Sequence, residues 1–421
     1  MSVVAVAVAA GRGTAKSQHG ALKFRGCVSE LPGGGCAPLA AGSLTGTAGI
    51  AVSPDGRSVY ATSYGGDSVT AFARSGGGKL VFQGCVAAAG AAGCQAAPGE
   101  ALRGASGIAV SPGGGDVYVA SGVGSAVTRL ARGTDGQVSF GSCSSDRPSS
   151  GCAPLGFGVL AGVTGIAVGP GGADLYVTST DAAAVSHLVR NAGGGLEMRD
   201  CISAGEVPGC RKTRRNYLGG VDAIAISPDG REVYVASYAS GALVRFHRTG
   251  SGALRFRGCI SDAGNDGCRP LPSGSLSGAT GIAISPTGHD VYVASQVGVV
   301  TRLHPHGRRG FEFVSCLAAK RLKGCGRGPG LAQATGIALS PNGADLYVTS
   351  QSANAIAHLR PGTRGAIVPA DCLAARASRG CRKIAPGALR GAYAVAVSPD
   401  GRSVYTTASR SRSVAAFAAR P

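Results

Sequence analysis

The sequence predicts an all-β protein: a seven-bladed β-propeller of four-stranded blades, formed by a single domain over residues 21–421. Two regularities carry this prediction. A segment that begins Gly49-Ile-Ala-Val-Ser-Pro-Asp-Gly and continues as Val59-Tyr-Ala-Thr-Ser returns six more times, at steps of 58 residues with one step of 55. Each repeat also carries one pair of cysteines in the spacing C-x8-C. Repeats of this length are typical of propellers.

Each repeat divides into four short β-rich runs separated by turn signals. In the first repeat the runs cover residues 50–53, 58–63, 68–73 and 79–85, with Pro54-Asp-Gly between the first two and a Gly-rich turn before the fourth. No segment shows a helical period. Four antiparallel strands repeated seven times predict seven blades around a channel.

The two ends of the chain predict how the ring closes. The last repeat has only three strands, at 395–398, 403–407 and 413–418, whereas residues 21–27 form a fourth strand that no earlier strands precede. This segment nearly matches residues 253–259. We therefore expect it to complete the C-terminal blade and to remove an open sheet edge.

The cysteine spacing predicts seven local disulfides rather than zinc ribbons, which use closer cysteine pairs. Closing such a loop contributes about 2–3 kcal/mol. Disulfides persist in oxidising compartments, so we expect an extracellular, cell-wall or periplasmic protein. The predicted pairs are Cys27–Cys36, Cys85–Cys94, Cys143–Cys152, Cys201–Cys210, Cys259–Cys268, Cys316–Cys325 and Cys372–Cys381.

Composition excludes several other classes of protein. The chain has 421 residues, of which 44% are hydrophobic, and this is too apolar for a disordered polyelectrolyte. Its 71 glycines follow no Gly-X-Y period, which excludes collagen. No apolar run is long enough for a membrane span. Residues 1–20 lie outside the repeat and are interpreted as a clipped secretory leader or a disordered tail.

The repeated motif, written Ser227-Pro-Asp-Gly-Arg-Glu-Val-Tyr-Val-Ala-Ser in the fourth copy, resembles the YVTN-type repeat of lactonase-like seven-bladed propellers. The resemblance covers residues 21–420. It implies the propeller fold and a group of functions that includes lactone hydrolases, lyases and surface-layer or binding proteins. Lactonase-like relatives typically combine His, Arg and Glu in the channel, whereas no His falls on an inner strand here. The repeated Cys pair departs from the cytoplasmic lactonases and favours an extracytoplasmic member.

Features shared by all repeats are expected to be scaffold, so function is sought where one blade differs. Before the Gly/Ala-Ile-Ala motif, five repeats carry Ala, Ser or Thr, but the fourth has Asp222 and the last has Tyr393. Three residues earlier, Arg103 and Arg390 stand out. The four could form a site for an anionic small molecule: the arginines would bind a carboxylate or phosphate, Asp222 would act as general base and Tyr393 would hydrogen-bond the substrate. The alternative is that Asp222 seals the channel with an Arg or faces channel water.

The net charge of +19 is concentrated in loops that follow the fourth strands. This pattern predicts a ligand-binding surface for an anionic small molecule, a polysaccharide or an acidic protein. The alternative is a compositional effect, since 34 of the 41 basic residues are Arg. The candidate ligand-binding residues are Arg211, Lys212, Arg214, Arg215, Lys320, Arg321, Lys323, Arg379, Arg382 and Lys383, with Arg327, Arg376 and Arg390 close by in sequence.

The sequence thus favours a secreted or wall-associated, monomeric binding protein, with a lactonase-like hydrolase or lyase as the alternative. Few aromatic residues lie near the basic groups, so no specific nucleic-acid partner is expected. Neither a cofactor nor a metal is predicted. His304-Pro-His306 could be half of a metal site, but the sequence shows no third ligand. His187 and His358 fall in a third-strand register that is interpreted as tolerating exposed charge.

Overall fold

A computed structural model describes residues 21–39, 42–88, 93–147, 151–156, 158–262, 264, 267–271, 274–307, 310–362, 365–378 and 380–419. The interpretation of residues 1–20 as a leader or tail, and the candidate residue Arg379, lie outside these ranges. Within the described residues, no helix is long and apolar enough to cross a membrane.

Seven β-sheets form the blades of a propeller, which confirms the predicted fold. The innermost strands of neighbouring blades contact each other around the ring, and the last contacts the first. In ring order, these strands are β3 (Thr47–Val52), β8 (Ala105–Val110), β13 (Val163–Val168), β18 (Val221–Ile226), β23 (Ala279–Ile284), β28 (Ala334–Leu339) and β33 (Ala392–Val397). We number the blades one to seven in this order.

Three further strands extend each blade outward by antiparallel pairing. The second strands are β4 (Ser58–Ser63), β9 (Asp116–Ser121), β14 (Asp174–Ser179), β19 (Glu232–Ser237), β24 (Val291–Ser295), β29 (Leu346–Ser350) and β34 (Ser403–Ala408). The third strands are β5 (Ser68–Arg74), β10 (Ala126–Arg132), β15 (Ala184–Arg190), β20 (Ala242–Arg248), β25 (Val299–Pro305), β30 (Ala355–Pro361) and β35 (Ser413–Ala418). The fourth strands are β6 (Leu80–Ala88), β11 (Val138–Ser145), β16 (Leu196–Ser203), β21 (Leu254–Ser261), β26 (Phe311–Ala318), β31 (Ile367–Ala374) and, for blade seven, β1 (Lys23–Ser29).

A short fifth strand, which the sequence did not predict, lies at the outer edge of each blade and runs parallel to the fourth. The disulfide explains it: the first Cys lies on the fourth strand and the second lies just before the fifth, so the bond holds the returning chain beside the strand it has left. All seven predicted disulfides are present. The fifth strands are β2 (Ala37–Pro38), β7 (Gln95–Ala97), β12 (Ala153–Pro154), β17 (Arg211–Lys212), β22 (Arg269–Pro270), β27 (Gly326–Arg327) and β32 (Arg382–Lys383).

The N-terminal strand closes the ring as predicted. Strand β1 pairs antiparallel with β35, with Cys27 opposite Ala415 and Val28 opposite Val414. Leu22 and Phe417 belong to one buried cluster, 2% and 0% exposed. Blade seven is therefore built from both ends of the chain, and its third strand has no open edge.

The repeated tyrosine of each second strand packs between blades, which explains its presence in every repeat. All seven are at most 2% exposed. The hydroxyl of Tyr60 donates to the carbonyl of Gly136 in the next blade at 2.8 Å, and that of Tyr176 donates to Gly252 at 2.6 Å. A buried hydroxyl needs such an acceptor. In these blades the tyrosine thus joins neighbouring blades by packing and by a hydrogen bond.

The acidic residue at the start of strand two, or directly before it, is also scaffold, since it pairs with the third strand of its own blade. Asp116 lies 2.7 Å from Arg129. His187 and His358 occupy the equivalent position in blades three and six, where each Nε2 lies 2.7 Å from an Asp carboxylate. The interpretation of this register as one of exposed charge is wrong for both histidines. They are 1% and 2% exposed, because each also stacks on the interblade tyrosine of its blade.

Candidate functional site

Asp222 and Tyr393 are the second residues of β18 and β33, at the start of the inner strands. Their backbones are fixed by threonine hydroxyls of the preceding blade. Thr178 Oγ1 donates to the Asp222 carbonyl at 2.7 Å. Thr349 Oγ1 makes the equivalent bond to the Tyr393 carbonyl, also at 2.7 Å. Repetition of the propeller architecture thus brings both residues to one level of the channel.

The side chains of Asp222 and Tyr393 share one buried environment, although their blades lie on opposite sides of the ring. They are 1% and 5% exposed. Burial raises the pKa of Tyr393 well above its usual value, and the negative charge of Asp222 raises it further. Tyr64, directly after β4, adds to the same shift in pKa and packs in one hydrophobic cluster with Tyr393. The buried phenol of Tyr393 and the carboxyl group of Asp222 therefore interact electrostatically at this mouth of the channel.

Tyr64 was not among the predicted residues, although the sequence carries a signal for it. Its position follows the second strand, where the seven repeats read Tyr, Gly, Thr, Tyr, Gln, Gln and Ser. The two aromatic residues in this series, Tyr64 and Tyr238, depart from small or polar siblings in the same way as Tyr393 does. The turn between the second and third strands lies at the same end of the channel as the start of the first strand.

The two candidate arginines lie on the rim rather than with Asp222 and Tyr393. The side chain of Arg103 is 44% exposed, and its Nη1 lies 2.6 Å from Glu100 Oε1. Arg390 is exposed, and its carbonyl accepts hydrogen bonds from the amides of Arg410 and Ser411. The structure thus brings together two of the four residues proposed for an anionic small-molecule site. The catalytic roles given to all four stay predictions.

The candidate ligand-binding residues lie on the fifth strands and in the loops beside them. All those in the described residues are exposed. Three have acidic partners on the surface: Arg211 with Asp200, Lys212 with Glu206 and Arg382 with Asp371, at 2.6–2.7 Å. Among the described residues, no ion pair is formed by Arg214, Arg215, Lys320, Arg321, Lys323 or Lys383, nor by Arg327 and Arg376.

The basic fifth strands form one continuous arc. Strands β17, β22, β27 and β32 belong to blades three to six, and each carries Arg or Arg-Lys. Strands β2, β7 and β12, of the other three blades, carry no basic residue. We call the fifth strands of blades three to six, with the basic residues of their flanking loops, the basic arc. Arg269 of β22, which was not among the predicted residues, joins the arc between the others.

Several arginines elsewhere in the ring are paired with carboxylates. Near the Ser-Pro turns, Arg132 reaches Asp55 of the preceding blade at 2.8 Å, and Arg74 reaches Asp400 at 2.7 Å. Within blades, Arg245 pairs with Glu232 at 2.9 Å. These pairs are partly buried and link strands or blades. The basic arc differs from these positions because most of its described basic residues form no ion pair, whereas the fifth strands β2, β7 and β12 carry no basic residue.

A cavity of about 420 Å³ opens at the other end of the channel, where the inner strands finish. Its walls come from blades two to six and consist of Val, Ile, Leu, Ala, Ser and the prolines of the turns between the first and second strands. Among these lining residues none is an acid, a base or a metal ligand. The sequence feature that marks this cavity is the repeated Ser-Pro pair, which the sequence analysis interpreted only as part of a turn between strands.

Comparison with known proteins shows a similarity of fold. No protein-family model matches it, and no curated protein matches it in sequence. Kuenenia stuttgartiensis hydrazine synthase is similar in structure, with a TM-score of 0.60 and 17% identity over 89% of this chain and 96% of that one. Two proteins named as candidate 6-phosphogluconolactonases are also similar. The Bacteroides uniformis protein has a TM-score of 0.51 at 17% identity, and the Bacteroides fragilis protein 0.52 at 16%, each over 76% of this chain and 82% of the other. At these identities the likeness shows that the chain is a β-propeller.

Proposed function

We propose that this protein is an extracytoplasmic β-propeller that binds an anionic polymer of the cell wall or cell surface through its basic arc. One observation carries the proposal: the fifth strands that carry basic residues belong to four consecutive blades, and most basic residues of this arc lack ion-pair partners among the described residues. Several exposed like charges on one surface create a positive potential that attracts a polyanion. The protein is proposed to act as a monomer.

The disulfides support this proposal because they fix the basic side chains. Arg211 directly follows Cys210, and Arg382 directly follows Cys381, so each begins a strand that the disulfide holds in register. A binding surface that is already ordered loses less conformational entropy when a ligand binds. Seven disulfides also indicate an oxidising environment, extracellular or periplasmic, where such polymers occur.

Neutralising three unmatched side chains of the arc tests the proposal. We expect Lys320→Gln/Arg321→Gln/Arg327→Gln to lower the affinity for heparin, used as a polyanion probe, by tenfold or more at low salt. The matched control is Lys79→Gln/Arg57→Gln/Arg402→Gln, which removes the same charge from exposed positions outside the arc. Affinity is measured by calorimetry, with polyglutamate in place of heparin to distinguish an acidic polypeptide. Equal losses in both variants would contradict the assigned surface.

A second candidate function is that of a lactonase-like hydrolase or lyase in a YVTN-type family, acting on an anionic small molecule in the channel. It is favoured by the likeness to two candidate 6-phosphogluconolactonases and by the meeting of Asp222 with Tyr393. The 1% exposure of Asp222 makes it the less supported of the two, because a general base must reach its substrate.

This second function predicts that a lactone screen detects turnover by the wild-type protein and that Asp222→Asn abolishes it. The substitution removes the carboxylate and keeps its shape, so the melting temperature serves as the control for folding. A folded variant that retains full activity would reject the role of Asp222. Wild-type protein that is inactive on every lactone leaves the polyanion-binding function as the remaining candidate.

A further inference from the structure

Two histidines and one aspartate meet on blade five, at the side of the ring that carries the Ser-Pro turns. Asp290 directly precedes β24, His289 precedes Asp290, and His304 lies on β25. One potential ligand atom of each lies within 4.8 Å of the others. His304 Nε2 is 2.8 Å from Asp290 Oδ1, and the centroids of the two imidazole rings are 4.4 Å apart.

The contact between His304 and Asp290 differs from the other His–Asp contacts of the ring. His187 Nε2 and His358 Nε2 each make a 2.7 Å hydrogen bond to their aspartate. His304 Nε2 is buried and makes no hydrogen bond among the described residues, although the carboxylate oxygen is at hydrogen-bond distance. The ring nitrogen is thus close to the oxygen without being directed at it. A buried polar atom in this state destabilises the fold unless another partner satisfies it.

The sibling blades show that this arrangement goes beyond the repeated scaffold. In blade four, His247 occupies the position of His304, but Arg231 stands in place of His289. In blade six, the two positions are Arg360 and Ala344. A second basic side chain beside the acid therefore belongs to the scaffold, whereas the combination of two histidines with one carboxylate occurs only in blade five.

We propose that His289, Asp290 and His304 form a binding site for a divalent transition-metal ion such as Zn²⁺. Imidazole and carboxylate are ordinary zinc ligands, at about 2.0–2.2 Å. The ion would satisfy His304 Nε2 and would join the turn before β24 to the third strand. His289 is exposed, so its ring can rotate to shorten the remaining distance, and water completes the coordination.

The charge around the site favours this class of ion over Ca²⁺ or Mg²⁺. The Arg302 guanidinium makes a bidentate interaction with Asp290: Nε donates to Oδ1 at 2.7 Å and Nη2 donates to Oδ2 at 3.1 Å. The carboxylate is thus largely neutralised, and binding depends on the two imidazoles. Hard cations prefer several oxygen ligands, which the site does not supply, whereas imidazole suits Zn²⁺, Ni²⁺ and Cu²⁺.

Calorimetric titration of the chelator-treated, disulfide-intact protein with ZnCl₂ tests the site. We expect saturable binding of one Zn²⁺ per chain, with a rise in melting temperature, because a ligand that binds the native state stabilises it. No cysteine is free to compete for the ion. His289→Ala should lower the affinity at least tenfold and remove the thermal shift, while its exposed position leaves the fold intact.

The control is His306→Ala, which removes a nearby exposed histidine outside the cluster. It should bind Zn²⁺ as the wild type does. A wild-type protein without saturable binding, or equal loss of affinity in the His289 and His306 variants, would overturn the proposal. Because the site lies at the Ser-Pro side of the ring, its failure would leave polyanion binding by the basic arc unaffected, and the two results are separable.

Discussion

Removal of residues 1–30 should lower the melting temperature by roughly 10 °C. The deletion takes away β1, whose pairing with β35 closes the ring, together with the buried side chains of Leu22, Cys27 and Val28. It also breaks the Cys27–Cys36 disulfide. Loss of the disulfide and of about three buried apolar groups amounts to roughly 7 kcal/mol. Differential scanning calorimetry measures the change directly.

Deletion of residues 1–20 is the matched control, because β1 begins at Lys23. This shorter deletion should leave the melting temperature within about 2 °C of the wild type. An unchanged melt after removal of 1–30 would show that ring closure by the N-terminal strand does not stabilise the protein. The longer variant should also aggregate more readily, since β35 would present an unpaired edge.

Full reduction of the seven disulfides should produce a still larger loss of stability. Each bond closes a loop of about ten residues and contributes about 2–3 kcal/mol, so seven together give on the order of 15 kcal/mol or more. This sum equals or exceeds the whole stability of a typical domain. We therefore expect the reduced protein to lose its cooperative transition or to melt tens of degrees lower. Circular dichroism melts with and without reductant measure the effect.

Mass spectrometry after alkylation provides the control for reduction. Without reductant no cysteine should be alkylated, because all fourteen are paired. With reductant, fourteen alkyl groups should be added. A fully alkylated chain that melts like the oxidised protein would contradict the stabilising role of the disulfides and would weaken the argument for an oxidising compartment.

The fold could be predicted in detail because the same strand pattern occurs in every repeat, so each repeat supports the strand assignment of the others. Six of the seven fourth strands directly follow the third strand of their blade in sequence. Only the third strand of the last repeat, β35, has no fourth strand after it, so segment 21–27 was predicted to pair with β35. The fifth strands were missed because a strand such as β17 has two residues. A pairing this short leaves no pattern in the sequence and depends on the disulfide that positions it.

The positions of the channel residues were predictable only where the repeat fixes their register on an inner strand. Asp222 and Tyr393 occupy the same register on their strands, so their meeting follows from the ring. Arg103 lies in the turn before its strand, where its side chain pairs with Glu100 instead of entering the channel. The His289–Asp290–His304 cluster was missed because its members meet through the packing of a turn on a third strand. On sequence alone, His304 was paired with His306, which directly follows β25.

The dependence of polyanion binding on salt is the most direct test of the central claim, that the basic arc is the functional surface. Affinity of the wild-type protein for heparin is measured between about 50 mM and 500 mM NaCl, where the screening length falls from about 14 Å to about 4 Å. Binding through several unmatched charges predicts that affinity falls steeply with salt, by tenfold or more, and that the Lys320/Arg321/Arg327 variant shows a shallower slope. Affinity that is absent at low salt, or flat across the range, would contradict the account.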